Sequence, residues 1–137
     1  MKFPIKRYLK TEEYKNDYYE NFKTSFENID FVKVDEVIKI LDIVYKDKKR
    51  KVMICGNGGS AALANHFACD HQKLLSGVGN LRPFVVSLSA NSALMTAISN
   101  DNNYDYIFSD QIKQIGDKSD ILITISSSGN SKNIINA

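Results

Sequence analysis

A chain of 137 residues with 43% apolar and 25% charged side chains has the size and composition of one ordinary globular domain, able to bury a core without a disulfide or metal staple. Eighteen Lys and Arg against sixteen Asp and Glu leave a net charge of +2, which excludes a strongly basic nucleic-acid binder, a polyacidic tail and a disordered polyelectrolyte. No apolar run approaches the roughly 18 residues of a membrane span, and the basic start MKFPIKRYLK lacks an apolar h-region, so the expectation is a cytoplasmic protein with neither membrane nor nucleic acid as partner.

Charge is unevenly spread. Residues 1–51 carry 13 basic and 10 acidic groups, and the other 86 residues only 5 and 6. The division expected is an N-terminal helical segment over 1–50 and an α/β domain over 51–137, packed as one structural unit. Tyr14, Tyr18, Phe22, Phe26 and Ile29 recur at spacings of four and three, one stripe of an amphipathic helix over 11–29. Val34, Val37, Ile38, Leu41, Val44 and Tyr45 write a second helix. The basic run from Lys46 to Lys51 reads as its solvated C-terminal end, suited to the helix dipole.

The pattern then changes to short apolar runs alternating with helices. Val52 to Cys55 is the first run, followed by a glycine loop and the Ala-rich helix 61–75. Phe84 to Leu88 is the second, opened by Pro83. Helices over 91–99 and 106–115 lead to a third buried strand, 120–125, and a final helix start near Ser131. Apolar strands alternating with helices predict a parallel sheet covered on both faces. Three strands are thin for such a sheet, so a further C-terminal part of the domain is expected beyond Ala137. Cys55 and Cys69 read as reduced thiols buried as small hydrophobes.

Two loops carry chemistry. Gly56-Asn57-Gly58-Gly59-Ser60 leaves a strand and opens a helix, so backbone N–H groups face whatever lies above it. Asn57 and Ser60 add side-chain donors. No Lys occurs from 56 to 72, which excludes a P-loop. The spacing Gly56-x-Gly58-x-x-Ala61 fits a loose dinucleotide fingerprint, but the second strand and its exit, Val86 to Asn91, lack the acid that would hold a ribose. A plain structural turn is the other reading of this loop. The second loop, Ser126 to Ser131, holds four serines and an asparagine between a buried strand and a helix start. In a parallel sheet both loops fall at the C-terminal edge, where ligands of open α/β sheets bind. Ser hydroxyls and free N–H groups there suit a phosphate without a fixed cation. An ordinary N-cap would explain one or two of these residues.

GNGGSA at 56–61, LANHFACD at 63–70, AISND at 97–101 and GDKSDILITISSSGNSKNI at 116–134 together resemble the sugar isomerase (SIS) domain family, and within it the phosphoheptose isomerases. The resemblance implies a three-layer αβα sandwich around a parallel sheet and an aldose–ketose isomerase of a heptose phosphate, working in activated-heptose synthesis for surface polysaccharide (lipopolysaccharide or capsule). It implies a sugar phosphate held by Ser126, Ser127, Ser128 and Ser131, with Asn57, Gly58, Gly59, Asn100 and Asp101 contacting substrate, and a homotetramer with N-terminal helices between subunits. Packing of the aromatic stripe on its own domain remains open. The other reading within the family is a non-catalytic module that binds sugar phosphates or a protein partner, as the related replication-initiation regulators do.

His66 and Asp70 lie four apart on a helix and share a face. Such a pair can ligate zinc or serve in acid–base work, and it is also an ordinary solvated contact. The resemblance implies that both ligate Zn2+ and that Asp70 is the catalytic acid/base, standing where the family has Glu. Its carboxylate is one methylene closer to the backbone, about 1.5 Å. The family's further Gln and His ligands would lie beyond Ala137. The geometric expectation is that His66 and Asp70 line the sugar end of the pocket. His71, about 100° round the helix from Asp70, reads as surface.

Overall fold

The computed structural model describes residues 3–4 and 6–137. In chain order the elements are α1 (Thr11–Glu27), α2 (Phe31–Lys46), β1 (Val52–Gly56), α3 (Gly59–Leu74), β2 (Val85–Ser87), α4 (Ser92–Asp101), a 3-10 turn (Tyr104–Tyr106), α5 (Ser109–Ile115), β3 (Ile121–Ile125) and α6 (Lys132–Ile135). Contacts group into two compact units, Met1–Ile38 and Lys39–Ala137, so the division falls inside α2 and not at the composition boundary near residue 50.

In the first unit the helix written by the aromatic stripe forms, yet none of its residues is buried. Tyr14 is 41% exposed and Phe22 58%. The rings pair along the helix, Tyr14 with Tyr18 and Phe22 with Phe26, at centroid separations of 6.1 and 6.3 Å.

The second unit is built on a parallel sheet of order β2-β1-β3. Val52 sits opposite Val85 on one side and Ile121 on the other. Central β1 is buried along its whole length, and its side chains alternate between two cores. Val52 and Ile54 pack with Val44, Tyr45, Ala64, Ala68 and Val85, beneath the end of α2 and α3. Met53 and Cys55 pack with Leu88, Ile107 and Phe108, against α4, α5 and α6. This is the expected αβα arrangement, helix layers on both faces of a parallel sheet.

Three local expectations are corrected. The helix expected over 106–115 is split, because the Asn103 side chain accepts from the Asp105 N–H and starts a tight turn at Tyr104 before α5 begins at Ser109. Cys55 is fully buried, and burial pushes its thiol up to about 11, but Cys69 is exposed, one position round α3 from inward-facing Ala68. The basic run is not one solvated helix end, since α2 stops at Lys46 and Lys51 is buried at the start of β1. Lys51 Nζ there donates to Asp117 at 2.8 Å and to Asp120 at 2.7 Å, while its backbone N–H donates to Asp120 Oδ1 at 2.9 Å.

Candidate functional site

The glycine loop turns directly from β1 into α3. Gly56 has no room for a side chain, because a Cβ there would meet the backbone of Ser60 at 2.7 Å; its absence lets the first turn of α3 sit on the strand end. Gly58 has φ +55°, in the region that glycine tolerates. Gly59 opens α3 and has nothing within 4 Å of its Cβ position, so the space above it is free. Ser60 donates its N–H to Asn57 O at 3.0 Å. Beside the loop, Ser89 Oγ accepts from Gly56 N at 3.1 Å and donates to Gly56 O at 2.9 Å, fastening the exit of β2 to the end of β1.

The serine loop follows β3, the neighbour of β1, so the two loops share the C-terminal edge of adjacent strands. Ser126 Oγ accepts from Gly129 N at 3.1 Å, and Ser128 Oγ accepts from Asn130 N at 3.2 Å. Each hydroxyl thereby spends a lone pair inside the loop and keeps its O–H as a donor for a ligand. Gly129 closes the turn at φ +66°. Ser127 and Ser128 are exposed, and Ser131 is half-buried at the start of α6 with no side-chain cap bond. Five consecutive residues from Ser127 to Ser131 thus carry no acid, and Lys132 follows with its Nζ 3.7 Å from Asp105.

Asn57 joins the two loops. Its Nδ2 donates to Asn133 Oδ1 and its Oδ1 accepts from Asn133 Nδ2, both at 2.9 Å, and Oδ1 also accepts from Tyr104 Oη at 2.9 Å. Only one Nδ2 proton is left for a ligand. Asn100 and Asp101 end α4, both exposed, with Asn100 Nδ2 donating to Asp101 Oδ1 at 2.9 Å. Three residues on, the chain enters the 3-10 turn that carries Tyr104.

His66 and Asp70 do share a face of α3, with Nδ1 and Oδ1 3.3 Å apart. That face is the outward one. Inward-facing Ala64 and Ala68 fix the helix rotation, and steps of 100° per residue put His66 and Asp70 on the far side. Their side chains are 71% and 43% exposed. Both side chains are therefore open to a ligand on the outer face of α3. The nitrogen and carboxylate donors suit zinc, but zinc takes three or four protein ligands, and the described residues contain no grouping of three or more His, Cys, Asp or Glu. The pair alone is half a zinc site.

His71 is not plain surface. Its ring stacks on Phe67 at 3.8 Å and its Nδ1 shares a 2.5 Å hydrogen bond with the hydroxyl of buried Tyr45. Burial lowers the His71 pKa, with Asp70 opposing, and burial pushes the Tyr45 hydroxyl up to about 12. Asn133, Tyr104 and Ser89 are the residues sequence reasoning missed. Asn133 stood inside the quoted motif, but its partner is 76 residues away. A groove of about 710 Å³ between β2, α4 and α5, lined by Val86, Leu94, Ile98 and Ile115 together with polar residues such as Asp110 and Lys113, contains no expected site residue.

Residues 17–137 match the SIS domain family, and the chain belongs to it. It is 42% identical over 136 residues to the phosphoheptose isomerase of Sulfurimonas denitrificans, covering 97% of this chain and 67% of that one. It is 38% identical over 121 residues to the phosphoheptose isomerase of Helicobacter pylori strain P12, covering 86% and 60%. Among solved structures, the phosphoheptose isomerase of Neisseria gonorrhoeae superposes with a TM-score of 0.77 at 30% identity, over 93% of this chain and 67% of that chain. The Francisella tularensis phosphoheptose isomerase gives 0.79 at 29% identity, over 94% and 68%. The chain thus spans roughly two thirds of the length of these relatives, and less of some.

Proposed function

We propose that the chain carries the sugar-phosphate site of an aldose–ketose isomerase interconverting sedoheptulose 7-phosphate and D-glycero-D-manno-heptose 7-phosphate. The observation that carries this reading is the pairing of a glycine loop and a serine loop on the ends of adjacent parallel strands. Similarity to phosphoheptose isomerases supports it. The phosphate would sit on the hydroxyls of Ser126, Ser127, Ser128 and Ser131, remote from the reacting carbons, and supply binding energy and register. The sugar would lie over Gly58, Gly59 and Ser60, with Asn57 donating and Asn100 and Asp101 beside the turn.

Isomerisation moves a proton between C1 and C2 through an enediol(ate). Asp70 is assigned the transfer of that proton, with His66 at 3.3 Å to orient its carboxylate. Zn2+ would be held by His66 and Asp70 together with ligands from outside this set, and would supply charge for the developing oxyanion. Because both side chains face away from the sheet, this reading places the reacting end of the sugar against α3 of an assembled oligomer, for which a homotetramer using the exposed α1 stripe is proposed. The proposed setting is the cytoplasm, with the product entering activated-heptose synthesis for surface polysaccharide.

The outward orientation of Asp70 favours the second reading, a non-catalytic module that binds sugar phosphate. One experiment separates them. In protein extended to the full length of the relatives, incubation with sedoheptulose 7-phosphate in deuterated water should exchange one C1 proton of the ketose and form an aldose carrying deuterium at C2, and Asp70→Asn should slow this at least a hundredfold. Binding of the sugar phosphate without exchange would establish the second reading instead.

A further inference from the structure

We propose that Asn133 and Tyr104 are positioning residues that hold Asn57, and through it fix the distance between the loop that takes the sugar and the loop that takes the phosphate. The proposal rests on the sugar-phosphate reading above. It begins from a buried polar pair. Asn133 is 2% exposed, so its carboxamide must be satisfied internally. Among the described residues it is satisfied by Asn57 alone, through two reciprocal hydrogen bonds of 2.9 Å. Two amides bonded in a ring have one relative orientation, unlike a single hydrogen bond, which leaves a hinge.

Asn57 lies just past the end of β1 and Asn133 lies in α6, two residues past Ser131. The ring is therefore a rigid strut between the two loops. Tyr104 braces it from a third segment, its hydroxyl donating to the same Asn57 Oδ1 at 2.9 Å. That segment is itself tied to α6, because Asn136 Nδ2 donates to Asp105 O at 3.0 Å and Lys132 stands 3.7 Å from the Asp105 carboxylate. With both lone-pair directions of Oδ1 and one Nδ2 proton engaged, Asn57 can rotate no further. Its remaining Nδ2–H is thereby held in one direction. A ligand with a phosphate at one end and a reacting carbonyl at the other must span a fixed length, and this strut sets it.

The test uses two variants, two ligands and hydrogen exchange. Asn133→Leu removes both ring bonds at nearly constant volume, and Tyr104→Phe removes only the brace. Calorimetry with sedoheptulose 7-phosphate and with inorganic phosphate gives a ratio of affinities. Exchange at the Ser60 and Gly129 amides, each hydrogen-bonded within one of the loops, reads their coupling.

The expectation for Asn133→Leu is a tenfold or greater loss of heptose-phosphate affinity, a change under twofold for inorganic phosphate, and faster exchange at Ser60 and Gly129 with Ile54 unchanged. Tyr104→Phe should move the affinity ratio the same way by about threefold, and it carries the test should Asn133→Leu fail to fold. Equal loss of both ligands, or Ser60 exchange unaltered, would overturn the proposal, since a merely structural residue leaves the ratio alone. If the wild-type protein binds inorganic phosphate but no heptose phosphate, the functional reading fails separately. The exchange data then decide the strut by themselves: loops that loosen together uphold it, and loops that respond singly overturn it.

Discussion

At the N-terminal edge of the sheet, β1 and β3 are pinned by charge; at the C-terminal edge the same two strands end in neutral donors. Lys51 reaches Asp120, whose side chain is 2% exposed, and Asp117. Asp120 also accepts from the backbone N–H groups of Lys51 and Asp117 at 2.9 and 2.8 Å. Both carboxylate oxygens of Asp120 are thus engaged by the protein. At the other edge the hydroxyls of Ser126 and Ser128 accept from their own loop and keep protons to give away. A buried ion pair with its hydrogen bonds filled fixes strand register but has nothing left for a ligand. Neutral donors leave an incoming anion its full interaction, with no carboxylate in the loop to compete. On the proposed reading, this division of labour between edges would let a chain of net charge +2 bind a phosphate without a basic cluster.

The comparison breaks first at Asp120. Burial alone would raise its carboxyl, but the hydrogen bonds from Lys51 and from the backbone outweigh that and hold it below the usual carboxylate range. The hydrogen bonds that Lys51 donates to Asp117 and Asp120 raise its pKa in turn. A depressed acid stabilises the fold above its unfolded pKa, near 3.9, and this stability is lost as pH falls through the lower folded value. Asp120→Asn should cost about 3 kcal/mol at pH 7 by urea unfolding, near the low end for breaking a buried pair because Asp117 remains. The variant should lose less further stability between pH 5 and 2 than wild type, and should bind sugar phosphate unchanged once folded. A binding loss as large as the stability loss would mean the two edges are not independent.

Gly56→Ala is the next largest effect. The added Cβ would lie 2.7 Å from the backbone of Ser60, which cannot yield as a flexible side chain would. A loss of about 2 kcal/mol in thermal or urea unfolding is expected, typical of overpacking. Thermal unfolding indistinguishable from wild type would show that α3 can lift off the strand end.

The contrast also explains what the sequence disclosed. Strand β1, the glycine loop, α3 and the serine loop were legible because they are written in consecutive residues: an apolar run, glycines, an alanine-rich stretch, four serines. The order of motifs along the chain then carried the family. What escaped was set by neighbours distant in sequence. Lys51 looked like one of a solvated run because its partners Asp117 and Asp120 are 66 and 69 residues on. His71 looked like surface because Tyr45, 26 residues earlier, was invisible as its partner. The His66–Asp70 pair was correctly read as sharing a face, but a helical period gives only relative angles. Which face meets the sheet is decided by Ala64 and Ala68, and small residues between larger ones are weak markers of an inward face.

At the open edge the expected effects are smaller and confined to binding. Ser128→Ala and Ser131→Ala should each weaken sugar-phosphate affinity by about 1.5 kcal/mol, roughly tenfold, as for a hydrogen bond to a charged group. Unfolding should change little, since Ser131 makes no side-chain cap bond and Ser128→Ala removes only the exposed bond that its Oγ accepts from Asn130 N. Calorimetry showing wild-type affinity in both variants would remove the phosphate from this loop. A matching loss of stability would instead make the serines structural.

The smallest effect sharpens the comparison most, because it sets two glycines of one loop against each other. Gly59 is the first residue of α3, its φ is not positive, and nothing lies within 4 Å of its Cβ position. Alanine fits that backbone and restricts the unfolded chain, so Gly59→Ala should leave stability unchanged or raise it by about 0.5 kcal/mol. The same methyl group would stand in the free space over the loop, where the sugar is placed. A several-fold loss of heptose-phosphate affinity, with inorganic phosphate still bound normally at the serines, is the expected pattern. Gly56→Ala should show the reverse, lower stability with an intact ligand surface in whatever fraction is folded. If Gly59→Ala binds heptose phosphate as wild type does, then the space above Gly59 is not where the sugar lies, and the ligand must cross the edge on the Asn100 and Asp101 side.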